Sequence, residues 1–282
     1  MTSRPPRMWV PTTVYVLVAF VASGILVAAQ SATGPNPELL ELVQFAPAVA
    51  VAVVLFAWRG RWVAPFEVSL WRPAAAPTLT AAASVLVILA FPAVVLVALG
   101  GNVSVAAIHV ESEPIGLLVL AQCVGACGEE VGWRGFLQPY LRSRYSVLVT
   151  GMLVGTVWGV WHVQVFAAGP AYASGFLLST ITMSVLLAVL LDPFRSGNLL
   201  IATLFHAVAN LGLLTFSDAG GREPLLWTLM AVAAACCATA ILAVRKFRGV
   251  TDSAPRESAV SCSIDPKLSL DGTCRDSDNF RC

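Results

Sequence analysis

Eight long apolar runs restrict the fold of this chain more than any other feature of its sequence. A helix needs about 20 mostly apolar residues to cross the hydrocarbon core of a bilayer. Only 12% of the chain is charged, whereas soluble domains average about a quarter. We therefore predict an all-α, polytopic membrane bundle of about eight transmembrane helices. The runs cover about residues 12–30, 42–58, 79–99, 114–128, 147–168, 174–191, 198–215 and 224–244.

Basic residues predict the orientation of these helices. Five basic segments precede the first run and follow the second, fourth, sixth and eighth runs, which places these segments on one side, whereas Arg222 lies in an opposite loop. The opposite loops carry mostly acidic residues. By the positive-inside rule, both termini of this multi-pass cell-membrane protein are cytoplasmic. The basic residues of these five segments are Arg4, Arg7, Arg59, Arg61, Arg72, Arg142, Arg144, Arg195, Arg245, Lys246 and Arg248.

The chain divides into a transmembrane domain, residues 1–248, and a cytoplasmic tail, residues 249–282. The tail is rich in Ser, Asp and Arg, which predicts disorder. The first run could instead be a cleaved signal peptide, although it is longer than the apolar region of about 7–15 residues typical of one. A net charge of +1 gives no reason to expect a nucleic-acid partner.

Two adjacent glutamates follow the fourth run at a depth where ionisable groups are costly and usually functional. Glu130 and Arg134 are four residues apart, so they share a helix face and can form an ion pair. Glu129 points about 100° away and has no obvious local partner. We therefore expect chemistry at Glu129 and structural support from Glu130 and Arg134. Alternatively, both glutamates extend to the membrane interface.

His162 follows a stripe of small residues that lets another helix approach closely. The fourth span has a similar stripe, which predicts that the fourth and fifth spans pack together. The turn between them falls near Tyr145, so antiparallel helices bring Glu129 and His162 to one level. A histidine that only packs against a backbone carbonyl is the alternative. The two stripes are Gly151, Gly155 and Gly159, and Gly125, Gly128 and Gly132.

His206 and Asn210 lie four residues apart in the seventh run, so both project from one helix face. An Asn side chain cannot satisfy its hydrogen bonds in hydrocarbon. The two residues therefore belong either to a polar site or to an interhelical hydrogen bond.

These residues together resemble the CAAX-protease and bacteriocin-processing family of intramembrane proteases. The three motifs are Glu129-Glu130-x-x-x-Arg134, Trp158-x-x-x-His162 and His206-x-x-x-Asn210. Trp158 stands where the second motif commonly has Phe, and we expect it to support the site structurally. The core of the resemblance covers about residues 114–215.

The resemblance implies an eight-helix bundle with a cytoplasm-facing cavity and endopeptidase activity on a peptide or membrane-protein substrate. It implies that Glu129 and His162 activate water. It also implies that His206 and Asn210 stabilise the oxyanion of the tetrahedral intermediate. Independently, a carboxylate beside an imidazole is a competent general base, and His and Asn are suitable oxyanion donors.

No metal or other cofactor is favoured. Zinc remains possible, because Glu129, His162 and His206 match a catalytic set of two His and one Glu. However, the chain has no His-Glu-x-x-His motif, and its other histidine, His109, precedes the fourth run.

Two other classes of function compete with a protease. Intramembrane carboxylates and histidines also form proton relays in transporters, but the sequence shows no inverted repeat. A non-catalytic peptide-binding protein, such as a bacteriocin self-immunity protein, would need the same cavity.

The topology is tested by reporter fusions. A fusion after Arg248 should report the cytoplasm, and one within residues 35–38 should report the opposite side. A tail found outside the cell would contradict the charge-based orientation.

Overall fold

The protein is described by a computed structural model over residues 9–34, 36–37, 39–58, 73–101, 103, 113–192, 198–216 and 223–249. Every regular element in these ranges is helical, which confirms the predicted all-α membrane bundle. The predicted disordered tail lies outside the described residues from residue 250 onward. The α-helices are α1 (Trp9–Thr33), α2 (Ala46–Ala57), α3 (Ala75–Ala98), α4 (Ile115–Gly132), α5 (Gln138–Arg142), α6 (Val147–Trp161), α7 (Pro170–Leu191), α8 (Asn198–Leu213) and α9 (Glu223–Phe247).

Six helical segments among the described residues are long and apolar enough to cross a membrane. Two further apolar segments, Leu42–Ala57 and Val147–Trp161, are shorter. The first of these begins with a 3₁₀ turn, Leu42–Phe45, that leads into α2. The eight apolar runs of the sequence therefore correspond to six full-length segments and two short ones.

The fourth run continues past its charged residues, as its short length predicted. A π-helical turn, Trp133–Leu137, joins α4 to α5, so the segment extends from Ile115 to Arg142. Pro139 explains the wider turn. Proline has no N–H, and its ring would collide with the carbonyl of Gly135 in a regular α-helix. Such π-turns are frequent at functional sites.

The predicted pairing of the fourth and fifth spans through their glycines is wrong. The glycines of α6 face α7, because a Cβ at Gly155 would lie 2.6 Å from the Cα of Ile181. The glycines of α4 face the 3₁₀ turn before α2, where a Cβ at Gly128 would lie 2.9 Å from the carbonyl oxygen of Gln44. Each stripe permits close packing, but its spacing does not specify the partner helix.

An ion pair joins the ends of α5 and α7. Arg142 Nε lies 2.6 Å from Asp192 Oδ1, and Arg142 Nη2 donates to Asp192 Oδ2 at 3.3 Å. Arg142 Nη1 also donates to the carbonyl of Tyr145 at 3.0 Å. Asp192 therefore neutralises Arg142 within the bundle. Arg142 still counts in the charge-based orientation, because acidic residues contribute little to the positive-inside rule.

Gly155→Ala should destabilise the protein, because the new Cβ meets backbone atoms of α7 that cannot rotate away. Overpacking of this kind costs about 1–3 kcal/mol. Thermal unfolding in detergent should show a lower midpoint. Gly116→Ala is the control, since nothing lies within 4 Å of a Cβ there. Equal midpoints for the two variants would contradict the close α6–α7 contact.

Candidate active site

A cavity of about 860 Å³ opens between α1, the α1–α2 connection, α4 and the end of α6. Glu129 and His162 both lie on its wall. The residues that line it are Phe20, Ser23, Gly24, Val27, Gln30, Ser31, Gly34, Asn36, Pro37, Glu41, Val43, Gln44, Glu129, Trp161, His162, Val163 and Gln164.

Glu129 is held by two neutral indoles. Its Oε2 accepts hydrogen bonds from Trp158 Nε1 at 2.9 Å and from Trp133 Nε1 at 3.3 Å. The prediction that Glu129 lacks a local partner is therefore wrong, since Trp133 lies one helical turn further along. Neither donor is charged, and Oε1 has no hydrogen-bond partner among the described residues. The carboxylate is thus fixed in position while one oxygen stays available.

Glu130 forms the predicted ion pair and one more contact. Its Oε1 lies 2.7 Å from Arg134 Nη1 and 2.8 Å from His206 Nδ1. Glu130, Arg134 and His206 are all buried. The Arg134 guanidinium also lies 4.8 Å from the centre of the Trp158 ring, within the range of a cation–π contact. This buried ion cluster joins α8 to α4.

His162 lies one residue beyond the end of α6, where the backbone leaves the helix with φ −77° and ψ 64°. Its Nδ1 is 2.9 Å from the carbonyl oxygen of Trp158. A carbonyl oxygen only accepts, so this contact requires the proton on Nδ1 and leaves the lone pair of the neutral ring on Nε2. Ring contacts with Trp161 at 4.9 Å and Phe176 at 5.1 Å fix the imidazole plane.

His206 and Asn210 do not line this cavity. His206 contacts the Trp158 ring at a centroid distance of 5.3 Å, and Asn210 Nδ2 donates to Gln122 Oε1 at 3.3 Å. His206 and Asn210 of α8 are therefore hydrogen-bonded to residues of α4, His206 to Glu130 and Asn210 to Gln122. Trp158 lies between the two sets of residues, because its indole contacts both Glu129 and the His206 ring.

Glu129, His162 and His206 do not form a metal site in this arrangement. In the described part of the chain, no three His, Cys, Asp or Glu side chains are placed to hold an ion. Each histidine is bonded through Nδ1, His206 to Glu130 and His162 to a backbone carbonyl, which leaves Nε2 of each ring as its other nitrogen. His109 lies outside the described residues.

The sequence analysis missed the wall that the α1–α2 connection contributes. Trp161 Nε1 donates to Ser23 Oγ at 2.8 Å, which fixes α1 against the end of α6. Glu41 lies at the rim, where loss of hydration and then the negative charge of Glu129 raise the pKa of its carboxyl group. No motif marks these residues, because they come from a connection far from α4 in the sequence.

The cavity lies at the end of the bundle opposite Trp9. Trp9 contacts Tyr145, just before α6, at a ring-centroid distance of 6.3 Å. The cavity is instead lined by the second half of α1 and the residues after α6. If both termini are cytoplasmic, it opens on the non-cytoplasmic side. Cytoplasmic termini and a cytoplasm-facing cavity are therefore incompatible in this structure.

Comparison with known proteins identifies related sequences for the central segment. Residues 111–212 match the family described as type II CAAX prenyl endopeptidase Rce1-like. CAAX prenyl protease 2 of Methanococcus maripaludis is 31% identical over 106 residues, which cover 34% of this chain and 37% of that protein. Lysostaphin resistance protein A of Staphylococcus aureus is 27% identical over 134 residues, covering 47% of this chain and 30% of that protein. The chain thus spans well under half the length of these relatives. All three motifs fall within the matched segment.

Glu130→Gln should lower the yield of folded protein. It leaves Arg134 buried without its carboxylate, and breaking one side of a buried ion pair costs about 3–5 kcal/mol. Size-exclusion chromatography in detergent measures the folded fraction. Glu129→Gln is the matched control, since an amide oxygen still accepts from both indoles and the yield should hold. Equal yields for the two variants would contradict the assignment of Glu130 to structural support.

Proposed function

We propose that the protein hydrolyses peptide bonds within the membrane, because residues 111–212 match the Rce1-like family of type II CAAX prenyl endopeptidases. The observation that carries the proposal is the placement of Glu129 and His162 on one cavity wall. Each presents a free acceptor, Oε1 of the carboxylate and Nε2 of the imidazole. This pair is suited to deprotonate a water molecule between them.

In the proposed reaction, the oxygen of that water attacks the peptide carbonyl carbon, and its proton passes to the Glu129–His162 pair. The C–O bond forms and the carbonyl oxygen becomes negative. When the C–N bond breaks, the same proton moves to the leaving amine. The indoles of Trp133 and Trp158 hold Glu129 in place throughout, so the base needs little reorganisation.

His206 and Asn210 fit a positioning role better than the oxyanion role that the resemblance implied. Neither lines the cavity, and His206 is bonded to Glu130. We propose that His206 keeps α8 and the Trp158 ring in place, and through Trp158 orients Glu129. Asn210 fixes α8 against α4 through Gln122.

We also propose that the reaction needs no metal. Glu129 and His162 can act on water directly, while His206, the third ligand of the alternative zinc set, does not line the cavity in which they lie. Zinc, if bound by Glu129, His162 and His206, would supply a Lewis acid and an activated water.

The orientation that we propose keeps both termini cytoplasmic, since five separate basic segments agree on it. The cavity then receives substrate from the non-cytoplasmic side. A peptide or an exposed segment of a membrane protein would enter beside the α1–α2 connection.

A second candidate function is peptide binding without turnover. It is favoured by the similarity to lysostaphin resistance protein A, whose name describes resistance and not cleavage. A transporter is disfavoured, because the chain matches a peptidase family over all three motifs. Comparison of membrane proteomes from cells with wild-type and Glu129→Ala protein distinguishes a protease from a peptide-binding protein, since only a protease generates cleaved fragments.

Replacement of Glu129 by Gln or His162 by Ala should each lower turnover of a substrate identified in this way by about 10²–10⁴-fold, as for general acid–base groups. The double variant should be little slower than either single one, because groups that act as a unit are not additive. Glu113→Gln, which lies before α4 and off the cavity, is the control.

The same assay after exhaustive chelation tests the metal-free mechanism. Turnover should persist. Loss of turnover on chelation, with recovery on adding zinc, would contradict the metal-free mechanism. In the substitution experiment, multiplicative effects of Glu129→Gln and His162→Ala would show that the two residues do not act as a unit.

A further inference from the structure

We propose that Glu41 makes the cavity selective for a substrate that carries a positive charge close to the bond to be cleaved. This inference rests on the proposed peptidase function and names the class of substrate that the site accepts. Glu41 belongs to the α1–α2 connection, outside all three motifs, and lines the same cavity as Glu129 and His162.

Two hydrogen bonds hold the backbone on either side of Glu41. Gln30 Nε2 donates to the carbonyl oxygen of Leu40 at 2.8 Å, and Gln30 Oε1 accepts from the backbone N–H of Leu42 at 2.8 Å. The side-chain amide of one residue on α1 therefore binds both chain neighbours of Glu41. This fixes the place of Glu41 on the cavity wall.

The packing around Gln44 brings Glu41 to the side of α4 that carries Glu129. Glu41 caps the 3₁₀ turn Leu42–Phe45, and the N–H of Gln44 donates to the carbonyl of Glu41 at 3.2 Å. Side chains three residues apart in such a turn lie on one face. Gln44 in turn lies against Gly125, where a Cβ would overlap its side-chain oxygen. Gly125 is one helical turn before Glu129 in α4.

The described wall of the cavity carries two carboxylates, Glu41 and Glu129, and no Lys or Arg. Glu129 is only 2% exposed, and its Oε1 has no hydrogen-bond partner among the described residues. The Glu41 side chain has no ion-pair partner in the same part of the chain. Loss of hydration, and then the negative charge of Glu129, raise the pKa of the Glu41 carboxyl group. A cation bound beside Glu41 would offset both effects.

The chemistry of the wall fits an organic cation better than a metal ion. No three His, Cys, Asp or Glu side chains of the described chain are placed to hold a metal. Apolar side chains lie on the same wall, among them Phe20, Val27 and Val43. Lys and Arg bury their aliphatic stems on such surfaces and keep the charged group at the wet edge. Glu41 lies at that edge, since it is exposed at the rim.

The position of the charge in the substrate follows from the reach of the interaction. Charges in salt solution act on each other over about 10 Å or less, and an extended chain spans about 3.3 Å per residue. Glu41 and Glu129 influence each other. We therefore expect the positive charge within about three residues of the cleaved bond.

The first test uses a library of N-acetylated peptides, which is incubated with the purified protein in detergent. Mass spectrometry locates the cleaved bonds, and Lys or Arg should be enriched near them on one side. The same library with free N-termini tests the other source of positive charge. Cleavage that needs the free amine, without enrichment of Lys or Arg, assigns the charge to the α-amino group. Cleavage with neither preference overturns the inference.

The second test compares two peptides that differ only in that charge, such as Lys and Met at the selected position. Glu41→Gln should lower kcat/KM for the charged peptide about fivefold, as for a partly exposed ion pair, and leave the neutral peptide unchanged. Glu41→Lys should reverse the preference in favour of a peptide with Glu at that position, because like charges repel. Glu113→Gln, which does not line the cavity, is the matched control and should keep the wild-type preference.

An equal loss for both peptides in Glu41→Gln would mean that Glu41 only supports the wall, and would overturn the inference. Equal cleavage of both peptides by the wild-type protein would overturn it as well. If Glu129→Gln is inactive in either of these cases, the proposed function stands without the role of Glu41. If Glu129→Gln cleaves both peptides as the wild-type protein does, the proposed function fails and the inference fails with it.

Discussion

The buried ion cluster of Glu130, Arg134 and His206 is the interaction on which the rest of the site depends. Three ionisable groups lie inside an apolar bundle, where an unpaired charge is very costly. Glu130 accepts from both partners through one oxygen, and so ties α8 to α4. The Arg134 guanidinium lies over the Trp158 ring. In this way the charges that stabilise the bundle also hold the indole that orients Glu129.

Two adjacent carboxylates thus have opposite environments on one helix. Glu130 is 0% exposed and faces charged partners, while Glu129 faces a cavity and receives only neutral N–H donors. An ion pair fixes a carboxylate but compensates its negative charge, which makes it a weaker base. Indole donors fix the carboxylate without neutralising it, which leaves it able to accept a proton from water.

The cavity is asymmetric along the bundle, and this asymmetry links mechanism to topology. Its walls come from the second half of α1 and the residues after α6, both far from the end at which Trp9 and Tyr145 meet. The side on which α1 begins therefore decides the side from which substrate enters. A membrane helix cannot be inverted without inverting the site with it.

The sequence by itself determined the helical membrane fold, because lipid allows a spanning chain few alternatives to helices. It also determined the Glu130–Arg134 pair, since residues four apart on a helix must be neighbours. It could not determine that Trp158 binds Glu129, that His206 turns to Glu130, or that Gln44 joins the cavity. A glycine stripe permits any close partner, and only the tertiary packing of α4 on α2, and of α6 on α7, decided which side chains meet.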